Sequence, residues 1–305
     1  MFPIKFSPEV SHALNNNYPV VAIESTIFAH GLPYPMNLEC AQEINKIILD
    51  NGATPAIIIL DSGFINIGCN NKLLKKITNN QNIVKVSTRE ISTTLVSNKC
   101  GATTVAGTIV CANAANINIM VTGGIGGIHS NFKHTHDMST DLIELSRNKI
   151  SVVCSGIKSI LDIPKTLEYL ETIGIPIIGF NTEKFPSFYS TDSGFLNTYN
   201  AKSFDEIALI IDNHKEIKGG VIITNPPPEK YSIDNEKIKK WTKRAIEEAD
   251  NMNITGNKLT PYILKRLREI SNNKTLKTNI ELIYDNARIA SNIAVSQMKI
   301  LNNKD

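Results

Sequence analysis

What most limits the folds open to this chain is a recurrence of short, almost continuously apolar, β-branched runs. They are Val20–Ile23, Ala56–Leu60, Ile83–Ser87, Ile117–Thr122, Ile150–Cys154, Ile175–Phe180 and Val221–Thr224. A strand with one wet face alternates apolar and polar residues; these runs do not, so they predict strands covered on both faces. The segments between them carry helical periodicity. Asn37–Asn51 has Ala41, Ile44, Ile47 and Ile48 on one face, Asn37 as its predicted cap and Gly52 as its stop. Ser139–Asn148, Ser159–Ile173 and Phe204–His214 show the same spacing. Strands alternating with helices predict an α/β three-layer sandwich around a mostly parallel or mixed sheet.

After Pro226-Pro227-Pro228 the pattern changes to helices alone: Asn235–Met252, Thr260–Ser271 and about Leu276–Leu301. Thr260-Pro261 supplies a cap followed by proline at the first helical position. Each of these helices has an apolar face and none reads as a self-sufficient bundle. The expectation is a single domain over residues 1–305 whose C-terminal helices, from about residue 232, pack on the sheet.

Composition excludes several classes. The net charge is +3 with basic residues dispersed, which argues against a nucleic-acid partner. The longest apolar runs, such as Pro55–Leu60 and Gly219–Ile223, are too short for a bilayer, and the N-terminus has no signal core. A cytoplasmic protein is therefore expected. Cys40, Cys69, Cys100, Cys111 and Cys154 show no CxxC spacing, so they predict small buried hydrophobes rather than a disulfide framework or a zinc site.

Polar chemistry concentrates in Thr122–Asp141, TGGIGGIHSNFKHTHDMSTD, between a predicted strand and a predicted helix. Gly123, Gly124, Gly126 and Gly127 permit close backbone approach and positive φ. His129, His134 and His136 follow, then Asp137 and Asp141. Ligands of open α/β sheets bind beyond the strands' carboxyl ends, where this loop is predicted to lie. A glycine turn with surface histidines is the bland alternative; the joint density of Gly, His and Asp favours a metal or phosphate site. Carboxylates with few imidazoles suit a hard ion such as Mg²⁺ or Mn²⁺ better than zinc.

Three other positions stand out. Lys158 follows the run Ile150–Cys154 between Ile157 and Ile160. It reads either as a surface lysine in a first helical turn or as a desolvated amine suited to Schiff-base chemistry. Glu24 ends the run VVAIE and reads equally as a structural partner or as a general acid. Lys85, inside the apolar run IVKVS, is predicted to face inward toward a partner such as a phosphate. Gly101–Thr104 is predicted to open a helical segment whose backbone N–H groups either bind an anion or are simply capped.

The ordered motifs VVAIESTIFAHGLPYP, KVSTRE, NKCGATTVAGT, VTGGIGGIH, HTHDMSTDLIEL, VVCSGIKSILD, TLEYLETIGIPIIGF, ITNPPPE and LKTNIELIYDNARIAS resemble the pseudouridine-5′-phosphate glycosidase family over nearly the whole chain. The resemblance implies reversible cleavage of a C–C glycosidic bond, yielding uracil and ribose 5-phosphate, with Mn²⁺ as cofactor and a homotrimeric assembly. It implies that Glu24 is the proton donor and Lys158 the nucleophile. Lys85, Val105, His129, Ser139, Thr140, Asp141 and Asn279 match substrate-site positions, and Asp137 matches the metal position. Thr140 stands where the family usually has Ala, and His136 where it usually has Phe. A Schiff-base aldolase acting on another sugar phosphate and a non-catalytic sugar-phosphate binder are the alternatives.

Overall fold

The computed structural model describes residues 2–80, 82–130, 132–254 and 259–302, with the side chains of 134, 260 and 261 outside that description. The strands are β1 (Ile4–Phe6), β2 (Val20–Ile23), β3 (Thr54–Asp61), β4 (Phe64–Ile67), β5 (Val84–Val86), β6 (Gly101–Thr103), β7 (Ile119–Val121), β8 (Ser151–Cys154), β9 (Ile177–Phe180), β10 (Tyr199–Ala201) and β11 (Val221–Thr224). The helices are α1 (Pro8–Asn15), α2 (Met36–Asp50), α3 (Asn71–Asn79), α4 (Ile91–Val96), α5 (Val105–Ala114), α6 (Phe132–Thr135), α7 (Thr140–Arg147), α8 (Ile163–Thr172), α9 (Phe204–His214), α10 (Asn235–Asn251), α11 (Leu259–Ile270) and α12 (Lys274–Asn302).

Seven strands in the order β3-β2-β7-β8-β11-β9-β10 pair in parallel. β3 carries the pairing further. Thr54–Ile57 lie beside β2, while Ile58–Asp61 run antiparallel to β4, and Ile59 and Leu60 also run antiparallel to β6. The β3–β4 hairpin turns at Ser62 and Gly63, both at positive φ. The sheet is therefore mixed, with a parallel core.

Successive residues of the parallel strands point to opposite helix layers. Val21, Ile23, Ile119, Val121, Val153, Val221 and Ile223 join one apolar cluster with α2, α3 and α9–α12. Val20, Ala22, Met120, Val152, Cys154 and Ile222 join the other with α1, α4, α5, α7 and α8. That alternation follows from the two-residue strand period. It is why the strands read as continuous apolar runs, and it bears out the expected three-layer α/β sandwich.

α12 packs against β2, β7 and β8 and against α2 and α9. Its Leu282, Ile283, Ala287, Ala290 and Ile293 are fully buried. Each large aliphatic side chain removed from water contributes about 1.5–3 kcal/mol.

Several local expectations are corrected. Asn37 does not cap α2. It lies inside the helix, buried, and its Nδ2 donates to the carbonyls of Phe28 at 2.8 Å and Thr78 at 2.9 Å. Gly101–Thr103 form β6, and the helix begins one residue after the Thr104 cap, whose hydroxyl accepts from the Gly107 N–H. α8 starts at Ile163 behind an Asp162 cap, so Lys158 lies on the preceding turn rather than in a helix.

Candidate active site

The parallel strands deliver their following residues to one edge of the sheet: Glu24 after β2, Thr122 after β7, Ser155 after β8 and Asn225 after β11. A cleft of about 780 Å³ opens there, lined by Glu24, Lys85, Val105, His129, Asp137, Ser139, Thr140, Asp141 and Lys158 among others. The fold thus assembles residues from positions 24 to 158 around one space. Asn279 stands apart, lining a neighbouring cavity of about 250 Å³ with His30, Tyr189 and Arg268. Its Oδ1 is buried beside Gly123, with no hydrogen-bond partner among the described residues.

Glu24 is 6% exposed. Burial raises its carboxyl above the ordinary value, opposed by the charge of Lys158 and by the Thr122 hydroxyl, which donates to its Oε1. A carboxyl held in this way retains its proton to higher pH than a free glutamate and can deliver it as a general acid. Lys158 is half-buried on the same cleft, its N–H donating to the Ile125 carbonyl at 3.1 Å.

Lys85 departs from the expected inward orientation. It lies between Val84 and the buried Val86 on β5, exposed by accessible area but facing the cleft. The surrounding walls withdraw enough water to lower its ammonium below the usual lysine value, and the positive charge of Lys158 adds to this. Two cations on one cleft favour an anionic ligand.

The glycine loop is needed for packing rather than for positive φ, which none of its four glycines adopts. A Cβ on Gly124 would lie 2.4 Å from the Phe188 ring, and one on Gly126 2.2 Å from the Ser139 hydroxyl. One on Gly127 would lie 2.5 Å from the Thr166 hydroxyl. The loop runs beside the lysine segment: the Ser155 N–H donates to the Gly123 carbonyl and the Ile125 N–H to the Gly156 carbonyl.

Asp141 is committed to the framework. Its Oδ1 accepts from the Ala106 N–H at 2.9 Å and its Oδ2 from the Gly126 N–H at 2.8 Å. It thereby clamps the start of α5, where Val105 is the first residue, against the glycine loop. Ser139 caps α7 through the Asp141 N–H, and Thr140 is the exposed first residue of that helix.

Asp137 is half-exposed, 3.7 Å from His129 Nε2, and its carbonyl accepts from the His129 N–H. Among the described residues no group of three or more His, Cys, Asp or Glu side chains could hold a metal. A single carboxylate nevertheless fits a hard divalent ion that keeps most of its water. His136, at positive φ, packs edge-on against Phe132. His134 was singled out by its sequence position, but its side chain lies outside the described residues.

Sequence reasoning missed the role of Thr122, which pairs with Glu24. It also missed Asp250, Ile254 and Leu259, which bring the α10–α11 region to the cleft. A polar residue ending an apolar strand was the available signal for Thr122; the others become neighbours only through the tertiary fold.

A buried acid and an amine meeting at the carboxyl edge of a parallel sheet, in a cleft able to take an anion, define an α/β enzyme site. The chain belongs to the family of indigoidine synthase A like proteins, whose family model matches residues 9–296. It is 45% identical over 299 residues to the pseudouridine-5′-phosphate glycosidase of Caldanaerobacter subterraneus subsp. tengcongensis, covering 97% of each chain. Its fold matches the crystal structure of the prealnumycin C-glycosynthase AlnA in complex with ribulose 5-phosphate, with a TM-score of 0.92, 32% identity and 99% coverage of both chains. An indigoidine synthase A-like protein from Thermotoga maritima matches with a TM-score of 0.89, 34% identity and 97% coverage of both.

Proposed function

We propose that this protein is a pseudouridine-5′-phosphate glycosidase, reversibly cleaving the C–C glycosidic bond of pseudouridine 5′-phosphate to uracil and ribose 5-phosphate. The observation that carries this reading is the meeting of Glu24 and Lys158 in one cleft, in a chain 45% identical over 97% of its length to a relative of that name. The C-glycosynthase likeness supports chemistry at a C-glycosidic bond.

A C-glycoside has no heteroatom leaving group on the base side, so protonating an oxygen as ordinary glycosidases do is insufficient. In the proposed course Lys158 Nζ bonds to C1′ as the C1′–O4′ bond opens, its electron pair passing to O4′, which takes up the proton that the amine loses. Glu24 protonates the pyrimidine at C5. The C1′–C5 bond then breaks with its electron pair passing into the pyrimidine, while the lysine nitrogen lone pair forms the C=N bond. Water adds to this iminium, releasing ribose 5-phosphate and regenerating the amine, and the proton freed from the water returns to Glu24. Lys85 and the Val105 end of α5 are assigned to the phosphate and Ser139, Thr140 and His129 to the rest of the substrate, all lining the one cleft, with Asp141 fixing the start of α5. Asn279, beside Gly123, is assigned to the substrate from the adjoining cavity. Asp137 is assigned to Mn²⁺, which when bound would orient the substrate through its water shell and offset negative charge. The homotrimeric assembly rests on the family resemblance, and the cytoplasmic location on the shortness of the apolar runs in the sequence. Among the described residues no helix is long and apolar enough to cross a membrane.

The test is release of uracil from pseudouridine 5′-phosphate by wild type and by Lys158→Ala, together with borohydride trapping by ribose 5-phosphate. Uracil release and a trapped adduct in wild type, both lost in Lys158→Ala, are expected. Adduct formation without uracil release would favour an aldolase; ribose 5-phosphate binding with neither would favour a non-catalytic binder.

A further inference from the structure

We propose that Asn286, on the C-terminal helix α12, is a positioning residue that sets the general acid by holding Thr122 in the orientation that donates to Glu24. The inference rests on the role of Glu24 proposed above. Asn286 is fully buried, at 0% exposure, where the ends of β7, β8 and β11 converge. Its Nδ2 donates to the Thr122 carbonyl at 3.0 Å and to the Ser155 hydroxyl at 3.1 Å. Its Oδ1 accepts from Asn225 Nδ2 at 3.2 Å, and Asn225 Nδ2 also donates to Asp285 Oδ2 at 2.9 Å. The Asp285 Oδ1 is paired with Arg288 at 2.5 Å.

This chain of bonds has a direction. Arg288 and Asp285 are charged and fix the Asn225 amide as a donor. That donor fixes which end of the Asn286 amide is oxygen, and so presents the Asn286 N–H to Thr122. The Thr122 N–H is held separately by the Val153 carbonyl at 3.0 Å, so the peptide groups on either side of this residue are pinned from two elements. The remaining freedom of Thr122 is its hydroxyl rotor, which donates to Glu24. Without the grip of Asn286 the residue is released from one side, and the acid loses a fixed partner at the point where its proton must reach carbon. The Asn286 amide does not line the cleft formed by Glu24 and Lys158, so it acts from behind, through Thr122 as proposed or through Ser155 on the lysine segment, and only the first route disappears in a Thr122→Val background.

The experiment is a double-mutant cycle on the intact enzyme with pseudouridine 5′-phosphate, using Asn286→Ala, Thr122→Val and the double variant. Turnover is counted per site able to form the borohydride-trapped Lys158 adduct, so misfolded protein does not enter the rate. In the Thr122 background Asn286→Ala is expected to lower kcat about 10- to 100-fold with KM within about threefold, since small misplacements of a catalytic group cost rates of this order. In the Thr122→Val background the same change is expected to alter kcat by less than about twofold. Asn286→Asp keeps the size and the acceptor atoms but loses the donation to Thr122, and is expected to repeat the pattern if Asn286→Ala yields too little folded protein. An equal loss in both backgrounds overturns the proposal, because a general structural defect multiplies through. So does wild-type kcat per trapped site in whatever fraction folds. If Lys158→Ala or Glu24→Gln keeps wild-type turnover, it is the reading of the site that fails, and Asn286 is not implicated.

Discussion

The environment of Glu24 has a consequence for stability as well as for catalysis. Its carboxyl is raised in the folded state, so the folded protein holds that proton more tightly than the unfolded chain. Stability from this group is fully present below the ordinary glutamate value and declines as pH rises through the folded value. Glu24→Gln removes the cost of a buried carboxylate, so the variant should gain on wild type in melting temperature as pH rises above the ordinary glutamate value, while losing uracil release. A melting difference that grows on acidification would contradict this. Asp137 offers a second test. Asp137→Ala should lower turnover and abolish any response to added Mn²⁺, read as uracil release with and without the ion after chelation. Burial pushes the thiols of Cys40, Cys69, Cys111 and Cys154 up to about 12 and that of Cys100 to about 11. Thiolate is the reactive form, so the native protein should react slowly with a thiol reagent at neutral pH, and all five should react after denaturation. Cys69 and Cys100 are half-buried, so the expectation of small buried side chains fits Cys40, Cys111 and Cys154 best.

At the scale of elements, Asp141 is the joint between α5, α7 and the glycine loop. Asp141→Ala leaves two buried backbone N–H groups without acceptors, at about 1–3 kcal/mol each. Its melting temperature should fall sharply; Asp141→Asn, with one acceptor oxygen, should fall by less. Gly126→Ala would drive a methyl onto the Ser139 hydroxyl and the Asp141 carboxylate, and should open the same joint, read as lost substrate binding with loss of stability. Three of the strands absent from the sequence reading share a cause. β1, β6 and β10 have three residues each, too few to show a period, and exist because a neighbouring strand supplies hydrogen-bond partners. β5 was expected as Ile83–Ser87 and forms over Val84–Val86, with Lys85 lining the cleft. α1 was missed because Pro8 and the capping Ser7 stood before only two buried side chains, Val10 and Ala13.

At the scale of the whole molecule, the order of strands brings distant sequence into one site. β2 and β7 are neighbours, and β7 lies beside β8, so residues near 24, 122 and 158 converge although the chain passes through several helices between them. The proposed trimer predicts a solution mass about three times the 33.6 kDa of the chain, measurable by light scattering; a monomeric mass with full activity would exclude it. The sequence alone determined the layer architecture, because strands covered on both faces must be continuously apolar and helices between them must be amphipathic. It also singled out Glu24 and Lys158 as candidates, since residues following buried strands occupy the binding edge of such a sheet, and the roles proposed for them are what the family resemblance implies. Only the tertiary structure decided that Asp141 is a clamp, that the loop glycines make room for side chains, and that Thr122 partners Glu24. Asn286 likewise reaches Thr122 and Ser155 from 164 and 131 residues away. Hydrogen bonds over such separations leave no periodic trace, because they depend on which strand ends the finished sheet sets side by side.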